Sequence, residues 1–320
     1  MELTISNVKM TSDELQEVTS GIFRLRTLFV NVYFIELEDS PGSWVLVDAG
    51  LKGYATEIID AAETIFGIGT KPEAIILTHG HFDHIGSLFD LLDHWDVPIY
   101  AHRLEIPYLT GLSSYPPPDP TAGKGLMSLL SFLYPNKPIN LGNKVKSIED
   151  EYFPYLHGWR IKHTPGHAPG HISLFREKDK VLIAGDAFVT VQQESIYAII
   201  LQKEELCGPP AYFTNNWIAA EASIRMLADM EPSIVATGHG KPLKGMFIKW
   251  ALHDLADHFK EKVVPKQGRY AREPALTDDL GVIKVPPVQT WVKTAGGIAL
   301  ALTAGLVSFA LIRKFNNRKV

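Results

Sequence analysis

Thr78-His79-Gly80-His81-Phe82-Asp83-His84 places four side chains able to ligate a metal within six residues, His79 to His84. The apolar run Ala74-Ile75-Ile76-Leu77 leads in, and Ile85-Gly86-Ser87-Leu88-Phe89 follows. That pattern predicts a buried strand ending in a loop, with a helix starting near His84. His79 and His81 straddle a glycine, so the backbone can bend and aim both imidazoles at one point. Packing gives no reason for three histidines and an aspartate at a strand end, whereas a metal ion does.

Three other stretches repeat the device. Ile183-Ala184-Gly185-Asp186-Ala187 puts Asp186 at the end of an apolar strand, and Thr237-Gly238-His239-Gly240 puts His239 just after another. Thr164-Pro165-Gly166-His167-Ala168-Pro169-Gly170-His171 sets His167 in a Gly/Pro turn between strands, with His163 nearby as a candidate for outer support. Strand ends in α/β sheets are where ligand sites are built.

Around these motifs the pattern alternates. Strands are predicted over 19–27, 30–37, 44–48, 98–101, 159–162, 171–176, 181–184 and 234–236, and helices over 54–66, 217–229 and 247–259. Residues 1–264 read as one catalytic domain of the α/β class. Within it, 103–150 breaks the alternation. Tyr115-Pro116-Pro117-Pro118-Asp119-Pro120 fits neither regular helix nor central strand, and the apolar segment Leu126 to Tyr134 predicts a short helix. This part is expected to be an insertion or lid over a pocket. Residues 265–293, with Pro265, Pro274, Pro286 and Pro287 among mixed charges, read as a linker.

The 19 residues from Thr294 to Ile312 carry no charge. As a helix they would span roughly 28 Å, close to the hydrocarbon thickness of a bilayer, so a C-terminal hydrophobic transmembrane anchor is predicted. A basic tail, 313–320, closes the chain. Gly297, Ala301 and Gly305 recur every fourth residue and form a small-residue face that could pair two anchors in a homodimer. The N-terminus shows no basic region followed by an apolar one, so the catalytic domain is expected on the cytoplasmic side. With 46% hydrophobic residues a large core can form, and the net charge of -5 comes with no basic stripe, which speaks against a nucleic-acid partner. The single cysteine, Cys207, excludes an internal disulfide and points to a reducing compartment.

Taken together, Val47-Asp48-Ala49-Gly50, the His-x-His-x-Asp-His cluster, Thr-Pro-Gly-His, Gly-Asp-Ala and Gly-His-Gly resemble the metallo-β-lactamase-fold hydrolases, in that family's order, over roughly residues 17–260. The nearest likeness is to the glyoxalase-II-like and lactonase-like branch. The resemblance implies an αβ/βα four-layer sandwich with two divalent metal ions at one edge, zinc first and manganese or iron as alternatives. It implies that His79, His81 and His167 bind one ion, that Asp83, His84 and His239 bind the other, and that Asp186 bridges them. Asp48 would hold a ligand histidine by a hydrogen bond.

The implied reaction is attack by metal-bound hydroxide on the carbonyl of an ester, thioester or lactone, with Asp83 and Asp186 as the catalytic carboxylates. Zinc lowers the pKa of its water to about 7, and two ions about 3.5–4 Å apart can also polarise a carbonyl. The best-known lactonases carry a tyrosine three residues after the bridging aspartate, where this chain has Val189. Tyr197 or Tyr212 would have to supply a phenol instead. Phe132, Tyr197 and Tyr212 are the candidate pocket residues, in apolar and aromatic stretches that favour a small, lipophilic or acyl substrate. Two rivals are a persulfide dioxygenase, which needs one iron and three of these ligands, and a non-catalytic membrane scaffold of the same fold.

Overall fold

The computed structural model describes residues 14–148, 151 and 153–288. The expected anchor 294–312, the tail 313–320 and the last residues of the expected linker lie outside the described residues. Among the described residues, no helix is long and apolar enough to cross a membrane.

Two sheets form the centre. The first contains β1 (Leu15–Thr19), β2 (Ile22–Thr27), β3 (Val30–Glu36), β4 (Trp44–Val47), β5 (Ala74–Ile76), β6 (Ile99–His102) and β7 (Val145–Ile148), in that spatial order. β1 to β4 pair antiparallel, and β4 to β7 pair parallel. The second has the order β12 (Leu243–Lys244), β11 (Ile234–Thr237), β10 (Val181–Gly185), β9 (Ile172–Arg176) and β8 (Trp159–His163). Only β10 and β11 run parallel there.

Strand periodicity explains why these runs are apolar on both sides. Tyr33, Ile35, Val45, Val47 and Ile76 face Trp159, Ile161, Leu174, Val181 and Ile183 between the sheets. The alternate residues Val32, Phe34, Trp44 and Leu46 face outward onto Ile58 and Ala62 of α1 (Ala55–Phe66) and Leu88 and Leu91 of α2 (Leu88–His94). A strand covered on both faces reads as a continuous apolar run rather than an alternating one. After the short helices α3 (Ile106–Leu109), α4 (Leu126–Leu130) and α5 (Ile196–Leu201), helices α6 (Trp217–Asp229) and α7 (Phe247–Asp257) cover the second sheet. Ile224, Leu227, Leu252 and Leu255 pack there on Phe175, Leu182 and Val235. The last helix is α8 (Phe259–Lys262). Helix, sheet, sheet and helix are thus the four layers.

Three expectations change. Residues 103–150 do not stand apart, because Val145–Ile148 pairs with β6 as the outer strand of the first sheet. Within that stretch, Tyr115, Pro116, Pro118 and Asp119 are buried, so the proline-rich segment is packed structure. The apolar segment 126–134 is α4 followed by a 3₁₀ turn, Ser131–Leu133, rather than one helix. Residues 265–288 form no loose linker. β13 (Leu276–Asp278) and β14 (Gly281–Lys284) make a hairpin, and Tyr270 and Ala275 are buried in the outer core of the second sheet. Prolines suggested a linker, but backbone and side-chain donors of this segment find partners on the insertion. The Arg269 amide donates to Asp119 Oδ2 (2.6 Å), Tyr270 Oη to the Pro117 carbonyl (2.8 Å) and the Val282 amide to Ser113 Oγ (3.0 Å).

Candidate metal centre

The parallel pairs β4/β5 and β10/β11 end at one edge of the sandwich, and so does the β8–β9 loop. Asp48 follows β4, His79 to His84 follow β5, Asp186 follows β10, and His239 follows β11. Backbone bonds stitch the two sheets there: Ile172 N donates to Thr78 O (2.9 Å) and Asn31 N to Gly238 O (2.8 Å). The edge is dry, with all seven expected ligands at 6% exposure or less.

Their donor atoms meet in three overlapping groups, each with its atoms within 4.8 Å of one another: His79, His81 and His167; His79, His84 and Asp186; Asp83, His84 and His239. Asp186 is central. Its Oδ2 lies 3.1 Å from His239 Nε2, 3.5 Å from His167 Nε2 and 3.6 Å from His84 Nε2. Two donors sharing a tetrahedral ion at about 2.0–2.2 Å lie about 3.4 Å apart, so these spacings suit shared cations. His81 Nδ1 and His167 Nε2 face each other at 2.9 Å.

The nitrogens left free are dictated by one carboxylate. Asp48 Oδ2 accepts from His84 Nδ1 (2.8 Å) and from Thr78 Oγ1 (2.8 Å), while Oδ1 accepts the Thr78 amide (2.7 Å). With its proton given to Asp48, the Thr78 hydroxyl must accept from His79 Nδ1 (3.0 Å). Both rings therefore carry the proton on Nδ1. His79 Nε2 and Asp186 Oδ1 are buried without a hydrogen-bond partner among the described residues, and His84 Nε2 faces Asp186 Oδ2 at 3.6 Å. Buried lone pairs with no donor are costly unless a cation takes them, so these residues fit a metal. Asp48 holds a left-handed backbone, φ +64°, which aspartate tolerates better than most residues. His239 is oriented by the Phe29 carbonyl, 2.9 Å from Nδ1. Gly238 must be glycine, since a Cβ there would lie 2.0 Å from Asp186 Oδ1.

Electrostatics sorts the histidines. Burial and neighbouring imidazoles hold His79 and His81 well below the ordinary range, which keeps them neutral donors at pH 7. Burial lowers His167 to about 4. Burial also works against a charge on His84, but Asp186, Asp48 and Asp83 outweigh it and hold that ring well above its usual value. Burial raises Asp83. Burial opposes ionisation of Asp186 too, yet His239 and His84 hold it well below the carboxylate range.

Sequence reasoning missed two contributors. His171 is fully buried and accepts the Asp186 amide at Nε2 (2.9 Å), with Thr164 Oγ1 2.8 Å from Nδ1. Its place two residues before a buried strand position was the available signal. The second is Phe213, whose ring stacks on His81 with centroids 4.5 Å apart. Phe82 and Tyr134 pack beside it, at 6.2 and 6.0 Å. Among the expected pocket residues, Tyr212 is buried 5.6 Å from Tyr134, whereas Phe132 and Tyr197 are 55% and 71% exposed. His163 is exposed and stacks on His102 at 4.0 Å, away from the cluster.

The sequence profile of the metallo-beta-lactamase superfamily matches residues 25–239, a span that contains every residue of this cluster. The chain belongs to the metallo-beta-lactamase superfamily. This superfamily member is 47% identical over 242 residues to the probable metallo-hydrolase YflN of Bacillus subtilis, covering 75% of this chain and 92% of the relative. A second probable metallo-hydrolase of that organism, YybB, is 30% identical over 214 residues, covering 67% of this chain and 82% of its own. A beta-lactamase domain protein from Burkholderia ambifaria superposes with a TM-score of 0.51 at 20% identity, over 81% of this chain and 80% of that one; the likeness is one of fold. As a metallo-beta-lactamase superfamily member, the chain is a metal-dependent hydrolase.

Proposed function

We propose that the chain is a dinuclear hydrolase of carboxylic esters, thioesters or lactones with an apolar acyl part. The position of Asp186 Oδ2, within 3.6 Å of one nitrogen each of His84, His167 and His239, carries this reading. A carboxylate so placed is suited to bridge two ions. His79, His81 and His167 would hold one, and Asp83, His84 and His239 the other. Bound zinc would supply a water acidified to about neutral pH and a Lewis acid for the substrate carbonyl. Asp48 and Thr78 fix the tautomers of His79 and His84. Asp83, raised by burial, is the group suited to orient the attacking water and take its proton. Phe213, Phe82 and Tyr134 form an apolar wall beside the cluster, which supports an acyl rather than a polar substrate. The uncharged stretch 294–312 is long enough to cross a bilayer as a helix, which supports membrane attachment.

Elemental analysis of protein purified without chelator, paired with turnover on a panel of esters, thioesters and lactones, tests the proposal. Two ions per chain with turnover of an apolar acyl substrate is expected. A single iron, or a fully loaded chain with no hydrolysis across the panel, would overturn it. Protease added to intact cells should spare the domain if it faces the cytoplasm.

A further inference from the structure

Glu105 is fully buried and belongs to none of the three donor groups. It closes the 3₁₀ turn Arg103–Glu105, directly after β6. Its carboxylate gathers donors from three segments distant in sequence. Oε2 accepts the Gly80 amide (2.9 Å) and the Tyr115 hydroxyl, and Oε1 accepts the Gly170 amide (2.7 Å).

Each partner adjoins the metal cluster. Gly80 lies between His79 and His81. Gly170 precedes His171, which takes the Asp186 amide, and sits three residues beyond His167. Tyr115 stacks on Tyr108, with centroids 4.0 Å apart, and its ring stands 4.6 Å from that of His81. The fit is close: a Cβ on Gly80 would meet Tyr115 Oη at 2.7 Å, and one on Gly170 would meet the Glu105 amide nitrogen at 2.8 Å. The first amide belongs to the edge of one sheet and the second to a loop of the other. Two oxygens of one rigid carboxylate therefore set the distance between the loops that present the histidines. Buried amides must find an acceptor, and among the described residues no other side chain is bonded to both, the Tyr115 hydroxyl sharing only that of Gly80 (2.9 Å).

We propose that Glu105 is a positioning residue of the metal centre, a strut that fixes the His79–His81 pair against His167 and, through His171, Asp186. This rests on reading those side chains as metal ligands. Tyr115 completes the strut from the proline-rich segment, so part of the insertion supports the ligands rather than covering a pocket.

The test uses full-length wild type, Glu105→Gln and Tyr115→Phe. The control is Leu252→Ala, in the buried α7 core. Glutamine keeps the shape but turns one acceptor into a donor, so either the Gly170 amide loses its acceptor or the Gly80 amide is left with the Tyr115 hydroxyl alone. Two readouts are zinc affinity by chelator competition and the visible spectrum of the cobalt-substituted protein, which reports ligand arrangement. Glu105→Gln is expected to weaken zinc binding about 10–100-fold and to shift the cobalt bands. Tyr115→Phe should shift them less, and it keeps the test open if Glu105→Gln does not fold. Leu252→Ala should lower thermal stability yet leave affinity and spectrum unchanged. Wild-type affinity and spectrum in both site variants, or the same changes in Leu252→Ala, would overturn the strut while leaving the ligand reading intact. A wild type that binds neither zinc nor cobalt would overturn the ligand reading and the strut with it.

Discussion

The metal edge and the aromatic rim beside it are built on opposite rules. At the edge, each of His79, His84 and His239 has its orientation set by a named partner within 3.0 Å, and the ligands are nearly inaccessible to water. At the rim, Phe213, Phe82 and Tyr134 meet His81 and one another through non-directional ring contacts. Directional bonds in a dry site tolerate little displacement. An apolar wall loses affinity in proportion to what is removed. Substitutions at the edge should therefore act as switches, and those at the rim as dials.

Asp186→Ala sets the upper end of that contrast. It removes the carboxylate that lies within 3.6 Å of His84, His167 and His239, and activity should fall by more than the about 10–100-fold typical of outer-shell partners. Metal content by elemental analysis should drop with it. Retention of the wild-type metal content and of turnover would dissolve the switch.

Asp48→Asn comes next. The side chain keeps its size, but one of its ends can no longer accept. Either the Thr78 amide or the His84 ring loses its partner. Zinc affinity by competition titration should fall about 10–100-fold. An unchanged affinity would mean that the His79 and His84 tautomers are fixed by something other than Asp48.

Protonation sharpens the electrostatic side. Metal ligation requires neutral imidazoles. The acidic neighbours hold His84 well above its ordinary range, so the metal-free protein carries its proton at pH 7. Zinc uptake must expel it, and affinity should rise with pH until His84 titrates in the free protein, by up to tenfold per pH unit for each proton released. Calorimetry at pH 7 in buffers of different ionisation heat should return at least about one proton per chain. Heat independent of the buffer would contradict the charge on His84.

The rim gives the smallest effects. Phe213→Ala should discriminate against long acyl chains over short ones by about 1–3 kcal/mol in kcat/KM. Phe132→Asp, at a half-exposed position, should change that ratio less. Equal losses for every chain length in Phe213→Ala would show that Phe213 supports His81 rather than substrate.

The same contrast explains what could be read in advance. Strand-end ligands come with short local signatures, a buried run followed by glycine and histidine or aspartate, because one strand delivers each of them. Asp48 and the four-layer order were legible only through the family resemblance. Phe213, Tyr115 and Glu105 come from segments that meet only after the sheets have packed, and no spacing in the sequence encodes that meeting. Tyr212, one of the three expected pocket residues, was one position away from the side chain that stacks on His81. The prolines at 265, 274, 286 and 287 misled because proline marks missing amide donors, which a packed segment tolerates when its other groups are satisfied.

The seam between residues 265–288 and the insertion decides where the chain can be cut. A truncation after residue 264, at the boundary the sequence suggests, would remove the Arg269 amide from Asp119 and Tyr270 from the Pro117 carbonyl. Asp119 is 3% exposed, and a buried acceptor deprived of a donor costs about 1–3 kcal/mol. Four residues before Asp119, Tyr115 bears on His81. A shortened protein meant for crystallisation or assay should therefore end beyond Lys284, or the trimming itself will loosen the centre that it is meant to expose.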